Sequence, residues 1–480
     1  MLTASVMLGP VAVASQAPVF SSCALAGNGG ATRANAQCAI AAVPLNHDDP
    51  DGAQIELHIA RIRSLAPDPA ADAFTVINGG PGGSSLSLYA DLAPVFASIL
   101  RERDIVVVDQ RGTGRSTPLT CPELEDSPTV SDPQLIAGFA RQCVASLEHD
   151  PRYFTTSVAV RDLELIRAQL GYAQLTIYGV SYGTRVAQHY ARRYPEQTRA
   201  LIIDGVLPVT AALGPQIAIK AQDTLDSIMA RCADDADCNQ ALPALPQQLA
   251  ALRAELTKAP VALQLPDPVT GTNTPMDFDY GHLAIALRLL AYAPETASLI
   301  PLLIHEAASN RNYLPLASQA LRVTTQLSDS MSYGMHNAVV CTEDVPYYDF
   351  DMTQMRARLQ QTYLGSEQMD ALIAICSEWP AGVIDPEFKT PLAHNIPTLL
   401  LSGQFDPITP PSYAEVAADP LGNARAIVAP GQGHGVIMRG CIPRLVDGFI
   451  ESLDSAAVDS SCVEQLGNEA FFIDLLGPAR

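Results

Sequence analysis

The sequence predicts an α/β fold with a mostly parallel, doubly wound sheet and one large helical insertion. Strand and helix patterns alternate from residue 54 to about 206, as is typical of parallel strands joined by crossover helices. Amphipathic helical patterns then dominate residues 207–391, and strand patterns return after residue 392. The chain has 480 residues, 48% hydrophobic and 17% charged, so it can bury a large core.

Individual strands and helices follow in a clear order along the chain. The first half predicts strands over 54–62, 74–77, 104–108, 175–178 and 201–203, with helices over 158–170 and 182–194. The insertion predicts helices over 216–231, 245–256 and 282–292, interrupted by a stretch rich in Pro, Gly and Thr over 260–275. Strands over 398–401 and 426–428 and a last helix over 443–453 then complete the α/β part.

These changes of pattern divide the chain into four segments. They are a signal peptide over residues 1–17, the first part of the α/β core over 18–206, the helical cap insertion over 207–391 and the C-terminal part of the core over 392–480. The first segment begins apolar and uncharged, and AVA at 12–14 resembles a signal cleavage site. No later stretch is apolar for long enough to span a bilayer. The sequence therefore predicts an exported protein, periplasmic or secreted, without a membrane span.

The acidic composition limits the possible partners. The chain carries 51 Asp and Glu against 29 Lys and Arg, and its formal net charge is −22. Binding of nucleic acid needs concentrated Lys and Arg, so a nucleic-acid partner is not expected. The acidity favours solubility, and a mild preference for cationic groups such as a peptide amino terminus is the alternative.

Ten cysteines occur as neighbouring pairs along the sequence. The pairs are Cys23 and Cys38, Cys121 and Cys143, Cys232 and Cys238, Cys341 and Cys376, and Cys441 and Cys462. They form no CxxC motif and no zinc-finger spacing with His, so a metal site is not expected. Local disulfides made in an oxidising compartment are favoured over ten buried thiols, while the connectivity stays open at this point.

The segment GVSYG at 179–183 predicts the nucleophile of a serine hydrolase. It follows a predicted strand directly and opens a predicted helix, which is the context of a nucleophile elbow. Only small residues fit on either side of the serine in so tight a turn, which explains Gly179 and Gly183. An ordinary strand-to-helix turn is the alternative, and the context favours Ser181 as a nucleophile.

A serine hydroxyl needs a base to take its proton and an acid to orient that base. His434 lies in GQGHG at 431–435, in the loop after the last predicted strand, where the base is expected. Asp406 follows the strand over 398–401, and its loop neighbours that of His434, so Asp406 is favoured as the acid. Asp204 ends the preceding strand and is the alternative acid.

Two glycine-rich loops complete the predicted site. An oxyanion needs backbone N–H donors, which Tyr182 and Gly80 are predicted to supply, the latter from NGGPGGSS at 78–85. That loop has no Lys and no GxGxxG register, which argues against a phosphate site. The loop DQRGTGRS at 109–116 follows the next strand and predicts a buried Asp–Arg pair within the loop that braces the site.

With the motifs GGPGG, DQRGTGRS, GVSYG and GQGHG, the chain resembles the proline iminopeptidase-like serine peptidases of the α/β-hydrolase fold. The similarity runs from about residue 40 to 465 and is greatest to the exported tripeptidyl-aminopeptidase branch, with its characteristic C-terminal segment. The family usually has His before GGPG, where this chain has Asn78. The resemblance implies a triad and two oxyanion donors: Ser181, Asp406, His434, Tyr182 and Gly80.

In this family the insertion forms a cap, and residues 336–344 resemble a cap segment that faces the active site. The resemblance implies that Glu343, and less directly Asp344, bind the substrate's amino group; a solvated acidic pair or a helix cap is the alternative. It also implies an exopeptidase that cleaves short peptides near the amino terminus through an acyl-enzyme, without metal or organic cofactor. An esterase or amidase of small molecules and a non-catalytic binding module remain alternative functions.

Overall fold

A nine-stranded sheet forms the centre of the protein and is mostly parallel, as predicted. The computed structural model describes residues 18–121, 132–266 and 271–478, so the predicted signal peptide lies outside the described residues. Four further strands form two separate pairs, β8 with β9 and β12 with β13. In chain order the described strands are β1 Ser21–Ala26, β2 Arg33–Pro44, β3 Gln54–Ile62, β4 Ala73–Ile77, β5 Ile105–Val108, β6 Leu175–Val180, β7 Thr198–Asp204, β8 Val261–Pro266, β9 Asn273–Phe278, β10 Thr398–Gly403, β11 Ala424–Ala429, β12 Phe472–Asp474 and β13 Gly477–Pro478.

The strand order of the large sheet is β1-β2-β3-β5-β4-β6-β7-β10-β11. From β5 to β11 neighbouring strands are parallel. β1, β2 and β3 pair antiparallel, and β3 joins β5 in the same way. The sequence predicted β3 but neither β1 nor β2, so this antiparallel edge is a finding of the structure.

Helices cover both faces of the sheet and make up most of the insertion. In the described residues they are α1 Ser85–Leu92, α2 Pro133–Ser146, α3 Thr156–Gln169, α4 Tyr182–Arg193, α5 Pro215–Asp234, α6 Ala236–Ala241, α7 Leu245–Lys258, α8 Tyr280–Leu290, α9 Pro294–Ala297, α10 Ile300–Ser309, α11 Leu314–Ser330, α12 Tyr333–Glu343, α13 Met352–Leu359, α14 Glu367–Cys376, α15 Pro411–Ala418 and α16 Ile442–Ser452. Each predicted helix is present close to its expected bounds.

Two hydrophobic layers enclose the sheet. Alternate residues of a strand point to opposite faces. Ile177 and Ile203 therefore join the layer that includes α3 and α4. Tyr178 and Ile202 join the opposite layer, which includes α1 and α16. This burial on both faces is what a doubly wound parallel sheet requires.

The insertion has a hydrophobic core of its own and contains two strands besides its helices. Its helices pack around residues such as Leu252, Leu287 and Ile304. The predicted interruption of these helices coincides with an antiparallel pair of strands, β8 and β9, which the sequence did not predict as strands. The helix α12 packs into the main core of the protein. The domain boundaries given above stay a prediction.

The C-terminal segment fastens the insertion to the rest of the protein. Phe471 packs in the hydrophobic core of the insertion, and the amide of Phe472 donates to the Ser298 carbonyl at 3.3 Å. The guanidinium of Arg231 lies over the rings of Phe471 and Phe405, at 5.0 and 5.2 Å from their centres. Such cation–π contacts join an insertion helix to the loop after β10.

The predicted cysteine pairs form five disulfides. They join Cys23 to Cys38, Cys121 to Cys143, Cys232 to Cys238, Cys341 to Cys376 and Cys441 to Cys462. The fourth links α12 to α14, and the prediction of local disulfides is confirmed. Within the described ranges, none of the helices combines the length and apolar character of a membrane span.

Candidate active site

Ser181 lies at the tip of a sharp turn between β6 and α4. Its φ of 57° and ψ of −126° are unusual for a residue with a side chain and cost on the order of 1–3 kcal/mol. A Cβ added to Gly179 would collide with the backbone of Gly183, and one added to Gly183 would collide with the Ile77 carbonyl. Close packing of the strand against the helix therefore holds the strained turn and lifts the serine hydroxyl above the sheet edge.

The imidazole of His434 is oriented by Asp406. Its Nδ1 donates a hydrogen bond of 2.8 Å to Oδ2 of the carboxylate, which is 3% exposed. The amides of Ile408 and Thr409 donate to Oδ1 at 2.9 and 2.8 Å, and the Thr409 hydroxyl donates to Oδ2 at 2.7 Å. Because an ionised carboxylate only accepts, the proton of the neutral imidazole is on Nδ1, and the Nε2 lone pair is available as a base.

Asp204, the alternative acid, has other hydrogen-bond partners. The Val436 amide donates to both of its carboxylate oxygens, at 2.9 and 2.8 Å, and the Ile437 amide donates to Oδ2 at 2.9 Å. The Tyr178 hydroxyl donates to the same oxygen at 3.1 Å. Of the two candidate acids, Asp406 is the one hydrogen-bonded to His434.

The end of β7 brings the nucleophile turn and the histidine loop together. The Ser181 amide donates to the Asp204 carbonyl at 2.9 Å. A Cβ added to the next residue, Gly205, would lie 2.9 Å from Cε1 of His434. No hydrogen bond between described residues joins Ser181 Oγ to the imidazole, and such bonds often tighten only when substrate binds. The predicted nucleophile and base thus share one corner of the sheet.

His434 is also enclosed by the insertion. Its amide donates to the Tyr292 carbonyl at 2.7 Å, and the two rings meet edge to face with centres 5.2 Å apart. Burial disfavours the charged imidazolium, but the charge of Asp406, its hydrogen bond and the charge of Asp204 outweigh this effect. The pKa of His434 is therefore raised above its ordinary value.

The predicted oxyanion loop lies directly against the nucleophile. A Cβ added to Gly79 would lie 2.6 Å from the Ser181 Cβ. The Asn78 side chain, which stands where the family usually has His, accepts a hydrogen bond of 2.7 Å from the Gly79 amide. In the described parts of the chain, neither the amide of Gly80 nor that of Tyr182 finds a hydrogen-bond acceptor. Their role as oxyanion donors stays a prediction.

The prediction of a buried Asp–Arg pair within the loop 109–116 is wrong, because neither Arg111 nor Arg115 forms an ion pair with Asp109 in the described structure. Arg111 donates from Nε and Nη2 to the Asp162 carboxylate on α3, at 2.7 and 2.6 Å. Asp109 instead accepts from the Ser84 hydroxyl at 2.8 Å and from the Leu86 amide at 3.0 Å. The correct partner of Arg111 is distant in sequence, so the loop motif could not reveal it. Asp109 nevertheless braces the oxyanion loop.

Glu343 is buried beside Thr156, which connects it to Tyr182, the residue after the nucleophile. It is 0% exposed and accepts hydrogen bonds from the amide and hydroxyl of Thr156, at 2.7 and 2.8 Å. That hydroxyl lies 2.5 Å from the Tyr182 hydroxyl. Burial raises the pKa of Glu343, and the positive charge of Arg185 opposes this. The role of Glu343 in substrate binding stays a prediction.

Asp344 belongs to a buried ion-pair cluster. Arg185 on α4 donates to its two oxygens at 2.9 and 3.1 Å. The Leu213 amide donates at 2.9 Å, and Nζ of Lys389 lies 3.7 Å away. With its oxygens so engaged and 0% exposure, Asp344 fastens the insertion to the nucleophile helix. Its predicted contact with substrate is likewise untested.

Sequence reasoning missed two residues beside the imidazole. Thr409 donates to Asp406 and lies 3.1 Å from Nδ1 of His434. Its position three residues after Asp406 is typical of a side-chain turn and could have identified it. Tyr292 comes from the end of α8 in the insertion, and no local pattern marks it.

Comparisons with known proteins identify the fold of the chain and several relatives. A family model described as the alpha/beta hydrolase fold matches residues 72–440. The serine protease Hip1 of Mycobacterium tuberculosis is 27% identical over 461 residues, which cover 86% of this chain and 85% of the relative. The tripeptidyl aminopeptidase of Streptomyces lividans is 31% identical over 189 residues, 36% of this chain and 35% of the relative.

Among solved structures, a proline iminopeptidase of Mycobacterium smegmatis is 16% identical, with 87% of this chain and 99% of that chain covered and a TM-score of 0.40. The family match spans well over half of the chain and contains Ser181, Asp406 and His434. The predicted fold class and the predicted enzyme class, a serine hydrolase, are confirmed. The chain belongs to the α/β-hydrolase fold family.

Proposed function

We propose that this protein is a serine peptidase that cleaves short peptides near their amino terminus, with Ser181 as nucleophile, His434 as base and Asp406 as acid. The observation that carries the proposal is the 2.8 Å hydrogen bond from His434 Nδ1 to the buried Asp406 carboxylate. It leaves a basic nitrogen at the sheet edge where the strained Ser181 turn lies. The similarity to a serine protease and a tripeptidyl aminopeptidase supports peptides as substrates.

The reaction follows from these positions. Ser181 Oγ attacks the carbonyl carbon of the scissile bond while Nε2 of His434 takes the hydroxyl proton. The negative oxygen that forms is stabilised by the amides of Tyr182 and Gly80. The C–N bond then breaks, and His434 gives the proton to the leaving amine. Water then attacks the carbonyl carbon of the acyl-enzyme while His434 takes its proton. The bond to Ser181 Oγ breaks, Ser181 regains its proton from His434, and the peptide carboxylic acid leaves.

Paired chromogenic substrates test the peptidase function against the esterase alternative. We expect tripeptidyl p-nitroanilides with a free amino group to be cleaved by the wild type and not by Ser181→Ala. Acetylation of the amino group should lower kcat/KM by about 100-fold, because an ammonium group hydrogen-bonded to a buried carboxylate contributes roughly 3 kcal/mol to binding. Fast cleavage of p-nitrophenyl acetate with no cleavage of either anilide would instead establish an esterase.

We further propose that Glu343 receives the substrate's amino group. The proposal requires Glu343 to exchange part of its contact with Thr156 for the ammonium group. Glu343→Gln should raise KM for the free-amine anilide and leave KM for its acetylated counterpart unchanged. Equal changes for both substrates would show that Glu343 only maintains the packing behind Tyr182. Asp344→Asn provides the matched comparison, since Asp344 is held by Arg185.

We also propose that the protein is exported, to the periplasm or beyond the cell. The five disulfides support this, because such bonds persist in oxidising compartments. Fractionation of cells that produce the full chain tests it. Enzyme with intact disulfides should appear outside the cytoplasm, and reduced enzyme confined to the cytoplasm would contradict the proposal.

A further inference from the structure

We propose that Asp204 is a second acidic residue of this site, a positioning residue that fixes the His434 loop and stabilises the imidazolium formed during catalysis. The inference rests on the proposed roles of Ser181 and His434. It goes beyond them, because a serine triad needs one acid and that place is held by Asp406.

The first part of the argument is geometric. Asp204 is 0% exposed at the end of β7, and its carboxylate accepts the amides of Val436 and Ile437, which follow the histidine by two and three residues. Hydrogen bonds from backbone amides to an ionised carboxylate are among the stronger ones in proteins. Its carbonyl meanwhile accepts the Ser181 amide at 2.9 Å. One residue therefore fixes the turn of the nucleophile and the loop of the base.

The second part concerns charge. Among the described residues Asp204 has no ion pair with Lys or Arg. Gly205, its neighbour, lies against the imidazole, since a Cβ there would be 3.1 Å from Nδ1 of His434. A buried carboxylate beside a group that becomes positive favours the charged form. The negative charge of Asp204 therefore favours the charged form of His434, and a positive charge on His434 favours the ionised form of Asp204.

The ionisation of Asp204 falls in the relevant pH range. Burial raises the pKa of Asp204 to about 6, while the amides of Val436 and Ile437, the charge of His434 and the hydroxyl of Tyr178 hold it down. Above this pH the carboxylate is negative, and the pKa of His434 is itself raised above its ordinary value. Asp204 is therefore charged over much of the range in which the imidazole loses its proton.

Few other titratable groups face this pair in the described structure. Asp406 contacts His434 from the loop after β10, and Tyr292 contacts it from just after the end of α8. Arg288 interacts with the hydroxyl of Tyr292. Tyr178 faces Asp204 from β6. Burial raises the pKa of both tyrosines, so they stay neutral where His434 titrates. The negative charges acting on His434 are those of Asp406 and Asp204.

The test measures how fast a fluorophosphonate probe labels the serine from about pH 5 to pH 9, the range in which histidine changes charge. Labelling needs the neutral base, so its rate falls as His434 becomes protonated. Asp204→Asn keeps a carbonyl that can accept the amides but removes the charge. We expect the midpoint of this fall to move to lower pH by about half a unit or more, together with a lower plateau rate.

A matched control separates charge from packing. Asp109 is also buried at a strand end and also accepts a backbone amide, yet it is not among the charges that act on His434. Asp109→Asn should therefore change the plateau rate without moving the midpoint. An unchanged midpoint in Asp204→Asn overturns the inference, because a merely structural residue would lower the rate equally at every pH.

Two further outcomes are decisive. If the wild type itself is not labelled, the proposed nucleophile is wrong, and this is distinct from a failure of the Asp204 inference. If Asp204→Asn does not fold, Tyr178→Phe carries the test, because it removes a hydroxyl that keeps Asp204 ionised. The midpoint should then move down by a smaller amount, and a wild-type midpoint would overturn the inference.

Discussion

Replacing Asp406 by Asn should inactivate the enzyme without unfolding it. The asparagine oxygen can take the place of Oδ1 and keep the amides of Ile408 and Thr409. The NH2 group then stands where Oδ2 accepted from His434 at 2.8 Å. Two donors cannot face each other, so the imidazole proton moves to Nε2, which can no longer take a proton from Ser181.

The expected loss is about 10⁴ in kcat, the size found when a triad histidine is held in the wrong tautomer. This corresponds to about 5.4 kcal/mol of transition-state stabilisation. The assay is kcat on a free-amine tripeptidyl anilide, with circular dichroism to show that the fold is retained. Asp204→Asn is the matched comparison and should lose about tenfold or less at its optimum pH. Near-wild-type activity in Asp406→Asn, with a four-decade loss in Asp204→Asn, would refute the assignment of the acid.

Three further results are expected. The profile of kcat/KM should fall on the acid side with a midpoint above about 6.5, because burial lowers the pKa of His434 less than Asp406 and Asp204 together raise it, and only the neutral imidazole is a base. Arg185→Met should lower the free energy of unfolding in urea by about 3–5 kcal/mol, since it leaves Asp344 buried without its guanidinium partner. Replacing Cys341 and Cys376 together by Ala should cost about 3–4 kcal/mol in the same assay, because their disulfide closes a loop with a sequence separation of 35 residues.

Each of these results has a clear opposite. An acid-side midpoint below that of free histidine would mean that burial dominates at His434. A loss of less than about 1 kcal/mol in Arg185→Met would mean that the cluster is as weak as a surface ion pair. The pair Cys232 and Cys238, separated by 6 residues, should cost about 1.5 kcal/mol less than the longer loop, and equal costs would contradict the loop-entropy argument.

The features that sequence could predict are those encoded over short stretches of chain. The Ser181 turn is an example, because a buried strand, two glycines and an amphipathic helix follow one another within about 20 residues. The loop of His434 was found in the same way, from its position after the last buried strand. The parallel part of the sheet followed from the same alternation of strand and helix patterns.

The features that were missed or wrong depend on contacts between distant segments. Arg111 pairs with Asp162 across 51 positions of sequence, so the neighbouring Asp109 was the only partner its motif could suggest. The antiparallel strands β1 and β2 were missed because they are rich in Ala and Ser, which give a weak strand signal, so only their pairing in the fold reveals them. Tyr292, whose ring packs against His434, was missed because it comes from the insertion, far from the His434 loop in sequence. Physical proximity created by the fold, rather than pattern, decides all three.

The most direct measurement is to locate the covalent adduct of a fluorophosphonate probe by peptide mapping and mass spectrometry. The account predicts a phosphonylated residue at Ser181, with labelling lost in Ser181→Ala and slowed strongly in Asp406→Asn. An adduct on a different serine, or labelling that persists in Ser181→Ala, would contradict the central claim that the strained Ser181 turn and the His434–Asp406 pair form one catalytic unit.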